Sequence, residues 1–509
     1  MKQSNLDRVP LDRLLLGLVL DRDGTVPLHA QLATHLRRQV LSGTVTPGAR
    51  LPSSRVLAEA LSLSRATVVT AVDQIVSEGY AEGRRGAGLF VTADLPDPIL
   101  RTAPRGGDDG PPHPALDSPR PDAPPPRPFR AGSPALDLFP HRAWARHLLD
   151  AWQAPGSALT GPADPLGYPP LRAAIATHLR DWRGLACGPD QVVVTAGLGD
   201  AIGLLAHAAL APGGTVLVED PGHAPLWHAL RSRWLVPRAM PVDTQGFDIA
   251  AAEVQAPHAR AVVVTPSRHF PLGMTLPLSR RLALLDWARR TGGLIVEDDY
   301  DSELRYAGAP LPALASLDTG PQETGERGSV AYVGSFSKVM MPALRLGFLV
   351  VPGRLVEAVR IARRITGGSA SLIPQPALAR FMASGAFAAH IRRMRRLYGR
   401  RQRALLAALA THLDGRLTVT LPPAGMHVVA DLAPALAARM SDEDAARRAA
   451  AAGVSVLPLS GFAAPDDLRL TPRPTPHRTR EGLVLGYAAF DEAALERAAA
   501  TLSTTLGSG

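Results

Sequence analysis

One cysteine, Cys187, serves a chain of 509 residues. A lone thiol excludes an internal disulfide framework and any zinc site built on several cysteines. Lysine is almost as scarce: of 55 basic residues, all but Lys2 and Lys338 are arginine. No apolar run approaches the roughly 18 residues that cross a bilayer. The stretch LLLGLVL (14–20) is short, charged on both flanks and lacks a small-residue cleavage site, so it does not read as a secretory leader. These absences point to a cytoplasmic chain with no membrane partner. His223 and His269 have no third ligand placed to join them, and no metal is expected.

The scarcity of lysine makes Lys338 informative. A desolvated amine can lose its proton and attack a carbonyl to form a Schiff base, whereas guanidinium stays protonated and is a poor nucleophile. A chain that uses arginine nearly everywhere therefore marks its one internal lysine as a candidate for covalent chemistry.

The formal net charge is +9 and the isoelectric point is near 10.3, which suits a polyanionic partner. The length implies two or three domains. The clearest boundary runs from Pro96 to Pro128, where 33 residues hold 12 prolines without sustained apolar periodicity. This reads as a semi-rigid linker over residues 95–130, dividing a small module (12–94) from a large one (131–509).

In the small module, Leu28, Leu32, Leu36 and Val40 recur every four residues and predict an amphipathic helix over 27–42. Ser53 or Ser54 can cap a short second helix that ends at Leu61. Ser64 caps a third, with Val68, Val69, Val72, Ile75 and Val76 expected on its inner face. YAEGRRGAGLFVT (80–92) then alternates like two strands around a glycine-rich turn. Helix, turn, helix and basic hairpin make a DNA-binding layout. Arg65 and Thr67 lie in the first turn of the third helix, Arg55 starts the second, and Arg84 and Arg85 sit on the hairpin with Gly86 and Gly88. The stretch RLPSSRVLAEALSLSRATVVTAVDQIVSEGYAEGRRGAGLFVT resembles the winged helix-turn-helix of GntR-type bacterial regulators. The resemblance implies contacts to double-stranded promoter DNA from Arg55, Arg65, Thr67 and Gly88, and Ser64, Arg84 and Arg85 are further candidates from the layout of the module.

The large module alternates short β-branched runs with amphipathic helices. The runs are QVVVTA (191–196), TVLVED (215–220), AVVVTP (261–266), LIVEDD (294–299) and VAYVGS (330–335). That alternation predicts a mostly parallel sheet covered on both faces, with a site at the carboxyl ends of the strands. Polar motifs lie there. Gly197, Leu198 and Gly199 open a helix whose free N–H groups suit phosphate. EDDYDSE (297–303) offers a carboxylate for a protonated ring nitrogen and Tyr300 for a phenolate-like oxygen. Ser335, Ser337 and Arg345 flank Lys338 as a phosphate grip. Together these are the needs of pyridoxal 5′-phosphate (PLP).

The motifs DPLGYPPLR (164–172), VEDPG (218–222), VEDDYDSELRY (296–306) and VGSFSKVMMPALRLGFLV (333–350) resemble fold-type I aminotransferases over residues 135–505. With the winged module, the chain resembles MocR/GabR-type regulators. The resemblance implies a PLP-binding effector and dimerisation domain with a smaller C-terminal α/β subdomain. It implies Lys338 as the aldimine lysine and Asp298, or Asp299 one register away, as the ring-nitrogen partner. Tyr300 would contact the cofactor hydroxyl, and Ser335, Ser337 and Arg345 its phosphate. The expected function is PLP-dependent transcriptional regulation by a homodimer answering to PLP or a small amine or amino acid; a working aminotransferase with a DNA-binding domain is the alternative. Three positions depart from the pattern. His223 stands where a stacking tyrosine is usual, Arg268 and His269 alter the run TPSHQFP, and Val484 takes the place of a carboxylate-binding arginine, for which Arg480 is a candidate substitute. The basic run HIRRMRRLYGRRQR (390–403) reads as a solvated helix face or an added DNA contact.

Overall fold

The computed structural model describes residues 9–22, 24, 26–84, 88–92, 127–153, 155–308, 311–318, 328–368, 370–470 and 480–507. Arg85 and Gly86, and the proline-rich segment from 93 to 126, lie outside the described residues. The chain divides into two compact units at residues 120 and 121, within that segment.

In the first unit, helices Leu28–Leu41, Ser54–Leu61 and Arg65–Ser77 precede a hairpin of β1 (Ala81–Arg84) and β2 (Gly88–Val91). Leu32, Leu36 and Val40 of the first helix meet Leu57, Val68, Ala71 and Ile75 in one core. In the third helix the buried stripe is Val68, Ala71 and Ile75, while Val69 and Val76, expected inside, are exposed. Spacing of three and four residues carries the stripe along one face, and alanine at 71 lets the helices approach closely. Ser62, between the second and third helices, has φ 52°, and Ser53 and Ser64 cap the helices that follow them.

The second unit is built on a seven-stranded sheet. Its strands are β3 (Val192–Thr195), β4 (Thr215–Asp220), β5 (Val236–Pro241), β6 (Ala261–Val264), β7 (Leu294–Asp299), β8 (Val330–Ser335) and β9 (Gly347–Val350). They lie in the order β3-β9-β8-β7-β6-β4-β5. All neighbours are parallel except where β9 enters antiparallel between β3 and β8. Two strands, β5 and β9, are absent from the sequence expectation. VPRAMP carries prolines at 237 and 241 and forms the sheet edge, where a missing N–H is tolerated.

A four-stranded antiparallel sheet forms the C-terminal part. It orders β10 (Leu417–Thr420), β11 (His427–Leu432), β13 (Gly482–Gly486) and β12 (Leu457–Pro458), packed with helices Ala386–Leu413 and Glu492–Gly507. The end of the expected linker belongs to this unit. Phe129 is fully buried, its carbonyl accepts from Gly486 N–H at 2.8 Å, and Pro128 O accepts from Ser455 N–H at 2.8 Å. Among the described residues no helix is long and apolar enough to cross a membrane.

Candidate functional site

The parallel strands β4, β6, β7 and β8 end at one wall of a cavity of about 240 Å³. Leu198, Glu219, His223, Asp298, Tyr300, Ser335 and Lys338 line it with Gly132, Thr265 and Phe270. Lys338 reaches it from the turn after β8, its Nζ donating to Gly132 O at 3.1 Å. Burial lowers the pKa of this amine below the ordinary lysine value, and Asp301 acts in the opposite sense.

Strand parity separates the two candidate carboxylates. Asp299 faces inward and is consumed: it pairs with Arg183 at 2.8 Å and accepts from Tyr332 Oη at 2.6 Å and Ser302 Oγ at 2.7 Å. Asp298 points into the cavity, and among the described residues its carboxylate accepts no hydrogen bond and joins no ion pair. Burial, with Asp299 and Asp301 nearby, pushes its carboxyl up to about 7. Tyr300 Oη accepts from Arg268 Nη1 at 2.7 Å, which leaves its own proton free to donate into the cavity.

The phosphate-facing candidates divide. Gly197 (φ 115°) precedes the helix that opens at Leu198, and a Cβ at Gly197 or Gly199 would meet nothing within 4 Å. No side-chain cap hydrogen bond closes the start of that helix, which leaves its first N–H groups without a side-chain acceptor there, as an anion needs. Ser335 lines the cavity, while Ser337 stands beside it, its N–H donating to Ser335 Oγ at 3.2 Å. Arg345 is exposed, has φ 50°, and does not line the cavity.

His269 sits behind the wall. It is 2% exposed, neither ring nitrogen has a hydrogen-bond partner, and Nε2 is 3.9 Å from Glu219 Oε2. Burial and Arg268 drive its pKa down to about 3. Glu219 is a site residue that the sequence reading does not single out. It lines the cavity, accepts from Thr265 Oγ1 at 2.6 Å and Thr265 N–H at 3.1 Å, and burial pushes its carboxyl up to about 7. His223 makes an edge contact with Phe270, the ring centroids 5.5 Å apart. Burial and Lys338 lower its pKa to about 4, so the ring is neutral at ordinary pH.

Neither position weighed for holding a carboxylate, Val484 or Arg480, lines the cavity. Val484 is fully buried in β13, opposite Val429 and Leu457, in an apolar cluster with Leu459. Arg480 is committed to Asp431 at 2.6 Å. Arg268 is buried and committed to Asp301 at 3.1 Å and to His427 O at 3.0 Å. Gly425 (φ 95°) makes room for that arrangement, since a Cβ there would lie 2.3 Å from the Arg268 guanidinium carbon. Among the described residues no three metal-ligating side chains gather at one point.

On the first unit, Arg55 and Arg65 project into solvent at the starts of their helices. Ser64 Oγ accepts from Thr67 N–H at 3.1 Å and shares a 2.8 Å hydrogen bond with Thr67 Oγ1, fixing the turn that carries Arg65. Arg84 is held by Glu82 at 2.7 Å and lies 4.7 Å over the Phe90 ring. Gly88 (φ 110°) abuts Arg50, whose Nε would lie 3.0 Å from a Cβ there.

The fold and these sites define a two-part protein, a helix-turn-helix unit with a wing joined to an aminotransferase-type unit. Residues 28–91 match the gntR family of bacterial regulatory proteins, and residues 130–483 match aminotransferase class I and II. The chain is 38% identical to the probable rhizopine catabolism regulatory protein MocR of Rhizobium meliloti, over 93% of this chain and 92% of that one. It is 35% identical to the pyridoxine biosynthesis transcriptional regulator PdxR of Corynebacterium glutamicum, over 76% and 80%. Among solved structures, the α-aminoadipate aminotransferase LysN of Thermus thermophilus superposes with a TM-score of 0.63 at 28% identity, over 74% of this chain and 91% of that one. The chain belongs to the MocR-type transcriptional regulators, which join a GntR helix-turn-helix domain to an aminotransferase-like domain.

Proposed function

We propose that the protein regulates transcription in response to PLP, or to a small amine or amino acid that meets PLP in the cavity. The observation that carries this reading is the unpartnered Asp298 carboxylate facing the same cavity as Lys338. A half-buried acid without a protein donor is costly unless a ligand supplies one, and a protonated pyridine nitrogen is such a donor. The residues fit the cofactor: Asp298 would meet the ring nitrogen, Tyr300 the ring hydroxyl, and Ser335 with the helix start at Leu198 the phosphate. Lys338 would hold it covalently. When bound, PLP supplies an aldehyde that condenses reversibly with primary amines. The chain's own part is to desolvate Lys338, orient it through Gly132 O, and exclude water with Phe270 and the apolar wall. His223 takes the ring-stacking place as a neutral imidazole.

The helix Arg65–Ser77 would enter the major groove of promoter DNA, with Arg65 and Thr67 at base edges and Arg55 at the backbone. Arg84 and Gly88 belong to the wing. Two such units in a homodimer would read paired half-sites. Borohydride reduction of PLP-loaded protein, followed by peptide mass spectrometry, tests the cofactor assignment: the label is expected on Lys338, and a label elsewhere or none contradicts it. A working aminotransferase is the second reading, favoured by the cavity with its amine and carboxylate. Sustained turnover of an amino acid with a keto acid would support it, and the buried Val484 where a carboxylate clamp is usual weighs against it.

A further inference from the structure

The helix Ala386–Leu413 runs for 28 residues, carries seven arginines and contains no aspartate or glutamate. A merely solvated helix face mixes charges of both signs, because like charges one turn apart destabilise a helix. Here one face is buried through Phe387, Ile391, Met394, Tyr398 and Leu405. The opposite face presents Arg392, Arg396, Arg400 and Arg403 to solvent. With Arg395 and Tyr306 they line an open groove of about 560 Å³ whose lining holds no acidic side chain.

The groove is partly built and partly unpaired. Arg395 donates to Arg305 O and lies 5.7 Å over the Trp182 ring, so its guanidinium is fixed. Arg400 has a loose partner in Glu492 at 3.6 Å. Among the described residues Arg392, Arg396 and Arg403 have no acidic partner and make no hydrogen bond through their side chains. Gly399 leaves the floor between them without a side chain. From Arg392 to Arg403 the helix rises about 16 Å, along which one DNA strand carries roughly five phosphates.

We propose that this groove is a second, sequence-independent DNA contact that grips the sugar-phosphate backbone beside the segment read by the winged unit. Guanidinium groups in a row suit phosphate oxygens, and such contacts position a protein on DNA without reading sequence. The net charge of +9 favours a polyanion over an acidic peptide as the occupant only in sum, but the winged unit already brings DNA to this chain. The inference therefore rests on the DNA-binding reading above.

The test uses the full-length, PLP-loaded protein and a labelled fragment of the DNA upstream of its gene, with affinity measured across a salt series. Replacing Arg392, Arg396 and Arg403 by alanine should lower the slope of log affinity against log salt by about 2–3, and weaken operator and scrambled DNA by the same factor. The triple lysine variant should keep the wild-type slope, because charge rather than fork geometry sets counterion release. Trimming the fragment to the minimal operator should lower the wild-type slope and leave the alanine variant unchanged. All three side chains are exposed, so unchanged circular dichroism is expected. An unchanged slope in the alanine variant overturns the proposal. If assembly mass changes while the slope does not, the groove is an interface between copies and the proposal also falls. Should wild-type protein bind no DNA specifically, the regulatory reading fails first, which a specific complex with an unaltered slope would not imply.

Discussion

Lys338 Nζ donates to the carbonyl of Gly132, 206 residues away in sequence, at 3.1 Å. Gly132 has φ 76°, and a Cβ there would lie 2.9 Å from the same nitrogen. Position 132 thus holds the Lys338 amine in place and leaves it room. Gly132→Ala combines left-handed strain, costing about 1–2 kcal/mol, with a direct clash. We expect PLP affinity to fall roughly tenfold or more while DNA binding by the winged unit persists. Titration of cofactor absorbance, beside a gel-shift series, checks both halves.

Asp298 and Asp299 are adjacent yet should fail differently. Asp299→Asn leaves Arg183, only 4% exposed, without its charge partner, and breaking such a buried pair costs about 3–5 kcal/mol. Asp298→Asn removes a carboxylate that no protein group uses, so it should weaken PLP binding with little loss of folded stability. Chemical denaturation of the cofactor-free variants separates them. Equal destabilisation would mean that the two carboxylates have been assigned to the wrong faces.

A pH dependence follows from the same residue. In the cofactor-free chain the Asp298 carboxyl is raised from 3.8 to about 7 by burial and its acidic neighbours. The folded state therefore binds this proton more tightly than the unfolded state. The corresponding stability is fully present below about pH 4 and is lost as pH rises through about 7. Asp298→Asn is neutral throughout, so its melting temperature relative to wild type should climb across that window. Glu219, raised from 4.5 to about 7 chiefly by burial and in part by Asp298, contributes a slope of the same sign in both proteins; it is shallower in the variant, which widens the difference in the same direction. Parallel melting curves for the two proteins would refute the assignment.

In the winged unit Arg65→Ala should weaken operator binding by about 1–3 kcal/mol if the side chain reads a base, and should do so more for operator than for scrambled DNA. Ser64→Ala removes the cap at Thr67 N–H, costing about 1 kcal/mol of domain stability, and should reduce affinity for both DNAs. Competition gel shifts distinguish loss of reading from loss of fold.

Much of this arrangement is legible in the chain itself, and the misses have physical causes. TVLVED, LIVEDD and VAYVGS are β-branched runs whose strand bounds follow directly from the residues. GFLV is only four residues long and opens on glycine, and VPRAMP carries two prolines, so β9 and β5 carry too little local signal. Lysine scarcity exposes Lys338. The choice between Asp298 and Asp299 depends on which face of β7 meets the cavity, which one strand cannot reveal. Gly132 and Arg183 enter the site only through contacts across more than a hundred residues, and no local pattern announces such a partner.

The most direct test is the affinity of full-length protein for the DNA upstream of its own gene, titrated with PLP at fixed salt, for wild type and Lys338→Ala. PLP should change the affinity or the footprint of the wild type, and the variant should bind the same DNA without responding. Specific binding that ignores PLP in the wild type, or a full response in the variant, would contradict a PLP-responsive regulator.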